Sequence, residues 1–213
     1  MEKIFYGQNK EDSIMYDYIT EKYGQNYIGN VLEIGANDGV TISNSKFFRD
    51  NGWNGFLVEA AKTPFERLLS NVNGTTTKCY NVALGNQNSI MKFYESGRQL
   101  AQNDVGLVSS LIFDETNRWR YGGISYEEYE VECLTWDSFL SKNNLQNETF
   151  DIISIDIEGM DYEVLSQMDL NKLNCKIMCV EFNGKRKEDY VNYIKKFDMR
   201  LIHENPENLI FVK

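Results

Sequence analysis

A chain of 213 residues with 42% hydrophobic and 25% charged side chains can bury a full core, and its mixture excludes fibrous and disordered classes. Its formal net charge of −10 repels phosphate backbones at long range and weighs against a nucleic-acid partner. No apolar run approaches the roughly 20 residues that span a bilayer, and Met1 to Lys10 carries no apolar signal core, so no membrane insertion is expected.

Apolar residues at Ile14, Tyr18 and Ile19 predict a helix over residues 11–22. Val31-Leu32-Glu33-Ile34-Gly35 is a short strand ending in glycine. Residues 41–50 read as a helix stopped by Asn51-Gly52. Phe56-Leu57-Val58-Glu59 is the second strand, and Pro64 suits the first turn of a helix through Leu69. Residues 78–84 form a third strand, and 90–94 a fourth that pairs with it as a hairpin. Residues 95–127 break the rhythm with glycines and the aromatics Trp119, Tyr121 and Tyr126, as a lid or binding loop does. Then the alternation resumes: strand 129–134, helix 136–142, strand 151–157, helix 161–168, strand 176–182, helix 188–197. Two strands, 200–204 and 208–212, close around Pro206.

The cysteines, Cys79, Cys133, Cys175 and Cys179, form no C-x-x-C pair, and a strand would put Cys175 and Cys179 on one face. Buried reduced thiols and a cytoplasmic location are the expectation. Strands alternating with helices imply an α/β fold with a mostly parallel sheet covered on both faces, here closed by an antiparallel C-terminal edge. Ligands bind such sheets beyond the carboxyl ends of the strands. That rule selects residues 35–39, 59–62, 81–85, 156–159 and 181–184.

The first of these turns reads Glu33-Ile34-Gly35-Ala36-Asn37-Asp38-Gly39. Its glycines permit a sharp turn and a close ligand. Asn37 stands where a dinucleotide fingerprint has its second glycine, which argues against a pyrophosphate. Glu59 ends the next strand, where a carboxylate can accept both hydroxyl protons of a ribose. Glu33 can help hold a cationic amino group, which S-adenosylmethionine (SAM) has and a nicotinamide dinucleotide lacks.

The stretches Val31-Leu-Glu-Ile-Gly-Ala-Asn-Asp-Gly-Val-Thr-Ile-Ser-Asn-Ser45 and Gly52-Trp-Asn-Gly-Phe-Leu-Val-Glu59 resemble the FkbM family of SAM-dependent methyltransferases. So do Tyr6-Gly-Gln8 with Glu11-Asp12, Asn81-Val-Ala-Leu-Gly85, Gly106-Leu-Val-Ser-Ser-Leu111, Leu134-Thr-Trp-Asp-Ser-Phe-Leu140 and Asp151-Ile-Ile-Ser-Ile-Asp-Ile-Glu-Gly159. Ala60-Ala61 departs from the Pro-Asn that many relatives carry, which affects the shape of the ribose loop. The resemblance implies one domain over 1–213: a class I, Rossmann-like three-layer sandwich with a seven-stranded sheet, an inserted hairpin and a long loop. Residues 1–28 would cover the cofactor and 95–127 would bind the acceptor. By resemblance, Gly35, Ala36, Asn37, Asp38 and Gly39 line the methionine and ribose part of SAM, with Glu33 beside them. Glu59 and Ala60 take the ribose; Asn81, Val82 and Ala83 frame the adenine; Gln8 and Asp12 close over it; Asp156 faces the methyl group. The implied reaction is methylation of a sugar or glycan hydroxyl, leaving S-adenosylhomocysteine.

An alcohol acceptor must lose its proton, and Asp156 and Glu158 are the candidate bases. Spaced by two, they point the same way unless the chain turns at Glu158, and Glu158 could instead cap the helix beginning near Met160. No metal is expected by default. Asp156, Glu181 and Asn183 would be the oxygen ligands of a Mg²⁺ or Mn²⁺ ion, as in metal-dependent small-molecule O-methyltransferases. Aromatic and polar residues between Arg98 and Tyr126 suit a sugar, and Asp114, Arg118 and Arg120 a charged acceptor. His203, in the closing strand pair, reads as a packed or surface residue. Lys185, Arg186 and Lys187, followed by Glu188 and Asp189, read as a helix start. Two other functions stay open: RNA ribose 2′-O-methylation, for which Lys185 is the one placeable lysine, and an inert SAM-fold interaction module, against which Glu33, Gly35, Gly39, Glu59 and Asp156 stand intact.

Overall fold

The most apolar stretches of the chain become the innermost strands. The computed structural model describes residues 3–97 and 106–213. Its main sheet has seven strands: β1 (Asn30–Ile34), β2 (Asn54–Val58), β3 (Lys78–Tyr80), β7 (Ile152–Ile155), β8 (Ile177–Glu181), β9 (Arg200–Glu204) and β10 (Asn208–Val212). Their order is β3-β2-β1-β7-β8-β10-β9. The pairs from β3 to β8 are parallel, and β10 enters antiparallel between β8 and β9. This is the expected mostly parallel sheet with an antiparallel C-terminal edge.

Every residue of β7, β8 and β10 is buried, as strands covered on both faces require. Period-two alternation sends Leu32, Ile34, Ile153, Ile155, Met178 and Val180 to one face. That face packs on α5 (Trp136–Lys142), α6 (Asp161–Leu165) and α7 (Lys187–Ile194). Val31, Ile152, Ile177, Cys179 and Ile210 turn to the other face, under α1 (Glu11–Tyr23) and α2 (Lys46–Asp50). α3 (Lys62–Asn71) packs Leu68 there against Leu57 and Ala36. Three layers result. Cys175 precedes β8 and joins the core face opposite to Cys179, so the two do not share a face. All four cysteines are free thiols.

Three local readings need correction. The expected third strand breaks at Asn81-Val82: β3 stays in the main sheet, while β4 (Ala83–Leu84) moves to a second one. Asn81 anchors the break by donating from Nδ2 to the carbonyls of Glu59 at 2.8 Å and Ala60 at 3.2 Å. In the second sheet β6 (Glu127–Leu134) lies between β4 and β5 (Ser89–Glu95), parallel to the first and antiparallel to the second. The hairpin therefore forms between β5 and β6, not between β5 and the strand before it. Within the expected loop, α4 (Phe113–Arg120) is a helix, and residues 98–105, with Arg98, lie outside the described residues, as does the side chain of Arg118.

The helix expected over 41–50 is only its second half. The Asp38 carboxylate accepts the backbone N–H of Val40 and Thr41, at 2.8 and 2.7 Å, and Ile42 adopts φ 47°. Ser43 and Ser45 turn their hydroxyls to Glu33, at 2.7 and 2.6 Å. Short polar side chains that bond locally compete with helix formation, and here they win. Among the described residues no helix is long and apolar enough to cross a membrane.

Candidate active site

Beyond the carboxyl ends of β1, β2 and β7 lies a cavity of about 840 Å³, its open mouth included. Gly35 makes it possible. Its φ is +85°, and a Cβ there would overlap the carbonyl oxygen of Asp156, so only glycine lets the two loops meet. The N–H groups of Gly35 and Ala36 both donate to the carbonyl of Val58, at 2.9 and 3.0 Å, which draws the loop across the end of β2. Glu59 then clamps the loop: its carboxylate accepts the N–H of Asn37 at 2.8 Å and of Ala61 at 2.6 Å. Burial pushes the Glu59 carboxyl up to about 7, with the charge of Glu95 adding to the effect against these hydrogen bonds.

The cavity has an apolar end and an acidic end. Val82, Ala83, Phe93, Leu111 and Met160 line the first, and Glu33, Ser43, Asn44, Ser154 and Asp156 the second. At the acidic end, carboxylate oxygens of Asp156, Glu158 and Glu181 come within 4.8 Å of one another. The chain does turn at Glu158, which sits at φ 53°, yet its carboxylate still reaches that of Asp156. Two side chains fix this turn. Asp161 accepts the N–H of Ile157 at 2.9 Å and of Gly159 at 3.0 Å, and Ser110 donates its hydroxyl to the carbonyl of Glu158 at 2.7 Å. Burial first, then mutual repulsion, pushes Asp156 and Glu181 well above the usual carboxylate range. Such a group can keep one proton at neutral pH and still offer a carboxylate as base. The same three oxygens are a ligand set for a hard cation. Asn183, expected in that set, hydrogen-bonds to Glu181, and Glu158 joins the two expected carboxylates.

A model of the FkbM methyltransferase domain matches residues 33–205. The chain belongs to the FkbM methyltransferase family. No curated protein matches it. Solved structures similar to this FkbM methyltransferase include a SAM-dependent methyltransferase from Leishmania major, at 11% identity and TM-score 0.44, with 95% of this chain and 70% of that one covered. Another is a SAM-dependent methyltransferase from Agrobacterium tumefaciens, at 9% identity and TM-score 0.48, with 98% of this chain and 62% of that one covered. The chain thus spans less than two thirds of the length of the second.

Within this FkbM methyltransferase, Glu33, Gly35, Ala36, Asn37, Glu59, Ala60, Val82, Ala83, Asp156 and Glu158 all line the cavity. Gln8, Asp12, Asp38, Gly39 and Asn81 do not. Gln8 is exposed. Asp12 is buried and holds the N-terminal turn by accepting the N–H of Tyr6 at 2.6 Å. Asp38 shapes its own turn, and Gly39 makes room for Leu68, whose Cδ1 would stand 2.5 Å from a Cβ there. Glu33 accepts three donors, Ser43 Oγ, Ser45 Oγ and the N–H of Asn44. His203 pairs with Ile210 on the edge strand β9, outside the cavity lining. Lys185 is paired with Glu115 at 2.9 Å, and among the described residues no Lys or Arg lines the cavity. Asp161, Ser110 and Asn44 were given no role by the sequence. Only the Asp-Ile-Glu-Gly-Met-Asp run, with a carboxylate five residues after Asp156, hinted at the first.

Several carboxyls here have folded-state values above their unfolded ones, Glu59 at about 7 and Asp161 at about 6 by burial. The folded protein therefore holds protons that the unfolded chain releases, and their favourable effect is full below the unfolded values near 4 and is lost as pH rises through 6 to 7. The ligand-free protein should melt several degrees higher at pH 6 than at pH 8 (about 2–4 °C per kcal/mol at this size). A melting point that is level or rises across that interval would contradict the buried, strained carboxyls.

Proposed function

We propose that this chain transfers the methyl group of SAM to a hydroxyl oxygen of a neutral sugar or other polyol. The observation that carries the reading is the cavity's polarity: apolar wall, central carboxylate, acidic end. Val82, Ala83, Phe93 and Leu111 form a slot for a flat base. Glu59 stands next along the wall, with lone pairs beyond those taken by Asn37 and Ala61, to accept ribose hydroxyls. Gly35 and Ala36 let the backbone pass close to a thioether chain, and the carboxylates of Glu33 and Asp156 favour a cationic one. A dinucleotide would bring a pyrophosphate into this acidic lining. These residues therefore fit SAM, which when bound supplies a methyl carbon already activated by its sulfonium.

The chain's own work is positioning and proton removal. Asp156, backed by Glu158 and Glu181, is the base for the acceptor hydroxyl. A base within hydrogen-bond reach contributes roughly 10²- to 10⁴-fold. Phe113 and Tyr121, at the ends of α4, are 47% and 94% exposed and offer faces on which a sugar ring can stack. Arg120 is already engaged, over the rings of Phe113 and Tyr126 and with Thr116 Oγ1 at 3.0 Å, so it supports a neutral acceptor over an anionic one. The acidic lining likewise weighs against RNA.

Transfer of labelled methyl from SAM to a panel of glycans, nucleosides and phenols, with product mass, tests the reading. Label is expected in glycan hydroxyls and should persist in EDTA. Label confined to nucleosides or phenols would displace the sugar assignment, and activity lost to EDTA and restored by Mg²⁺ would make the three carboxylates a metal site.

A further inference from the structure

The carboxylates of the candidate active site border two cavities. Asp156 and Glu158 line the one assigned above to SAM, and Glu181 lines a second, of about 520 Å³ with its open mouth included. Their oxygens come within 4.8 Å of one another, so the two cavities meet at this cluster. The turn after β7 is the partition. Glu158 and Met160 line the first cavity, while Gly159 between them lines the second. A Cβ on Gly159 would stand 2.8 Å from Glu115 Cγ, so glycine lets α4 approach the wall of the second cavity.

Tyr190 on α7 lines the second cavity and is only 5% exposed. Among the described residues its hydroxyl has no hydrogen-bond partner, yet it is not sealed from solvent. The charges that act on this hydroxyl are Asp161, Glu163, Glu181 and Arg186. All four line the same cavity, which places the hydroxyl on its wall. Burial first, and then those carboxylates, hold its pKa above the ordinary tyrosine value, so it keeps its proton and can donate. A buried hydroxyl left without a partner costs stability, which suits a site where a ligand supplies the acceptor.

The charges of the cavity select the class of that ligand. Arg186 donates to Glu163 at 2.7 Å and to Asp189 at 2.9 Å, and Lys185 donates to Glu115 at 2.9 Å. Both cations are thus already paired, and Asp161 and Glu181 beside them repel an anion. Phe182 and Tyr162 bring aromatic surface, and Asn183 an amide. Aromatic surface, hydrogen-bonding groups and paired cations fit a neutral polyol.

We propose that the second cavity holds the acceptor beyond its reacting hydroxyl, and that Tyr190 fixes which hydroxyl reaches the carboxylates by donating a hydrogen bond to a neighbouring oxygen of the same sugar. This rests on the methyl transfer to a polyol proposed above and adds the residue that decides its position.

Labelled transfer from SAM to the methyl glycosides of glucose, galactose, mannose, fucose and rhamnose tests it on wild type and Tyr190→Phe, followed by the monodeoxy forms of whichever is methylated. Phenylalanine keeps the ring packed against Tyr162 and removes only the unpartnered hydroxyl, so the variant should melt no lower than wild type. Its KM for the glycoside should rise about 3- to 10-fold, the range for one neutral hydrogen bond, with S-adenosylhomocysteine affinity held within about twofold. Its product should carry the methyl group at more than one position. In wild type one monodeoxy glycoside, lacking the contacted hydroxyl, should lose by the same factor, and in Tyr190→Phe that loss should vanish. An unchanged KM, or a monodeoxy loss that persists in the variant, would overturn the role of Tyr190 and leave the transferase reading standing. Failure of wild type to methylate any of these glycosides would instead remove the sugar reading itself, and this assignment with it.

Discussion

Asp156→Asn should lower kcat by about 10²- to 10⁴-fold while S-adenosylhomocysteine binds within a few-fold of wild type. Asparagine keeps the size of the side chain and removes the proton acceptor. Asp156 hydrogen-bonds to Glu181 within a group of three carboxyls, so the amide can retain that contact while the neighbouring repulsion falls. The variant should therefore be folded and no less stable. Single-turnover rates with saturating SAM, set beside calorimetric affinities, separate chemistry from binding. Glu158→Gln serves as the internal comparison, because its carbonyl is tied to Ser110 whatever its side chain does. The opposite split, with turnover kept and affinity lost, would make Asp156 a cofactor ligand alone and move the base elsewhere.

The sheet was legible because burial on both faces writes long apolar runs. Val31-Leu32, Ile152-Ile153 and Ile177 to Val180 have no other structural use, and their order with the intervening helices sets the topology. The strand ends followed, and with them Gly35, Glu59 and Asp156. The errors share a cause: each depends on partners distant in sequence or on side-chain bonds that periodicity does not record. Residues 41–45 have helical spacing, but Ser43, Asn44 and Ser45 satisfy Glu33, ten to twelve residues earlier. Residues 78–84 look like one strand because nothing local reveals that Asn81 holds the carbonyls of Glu59 and Ala60. Asp38 and Gly39 sit inside the motif that marks the site, yet they build the loop from behind and do not face the cavity. Conversely, Asp161 and Ser110 matter because they fix the turn at Glu158, a role visible only once 110 and 158 are neighbours.

Glu59→Gln should weaken S-adenosylhomocysteine binding roughly 100-fold or more, since charge-assisted bonds to two ribose hydroxyls are lost. It should also erase a pH dependence that the wild type shows. Glu59 is 8% exposed, and its carboxyl titrates at about 7 without ligand. Ribose hydroxyls bond best to the ionised form, so binding favours loss of the proton. Affinity in the wild type should therefore rise by up to about tenfold per pH unit as pH climbs from 6 towards 7, then level off by pH 8. In Glu59→Gln the same plot should be flat. The substitution also has a structural effect, because an amide can accept one of the N–H groups of Asn37 and Ala61 but opposes the other with its own donor. That loss would lower the melting point and leave the shape of the pH profile unaltered, which is why the profile, and not the affinity alone, is the decisive readout. A wild-type affinity that is constant from pH 6 to 8, or that falls as pH rises, would remove Glu59 from the ribose site whatever the variant does.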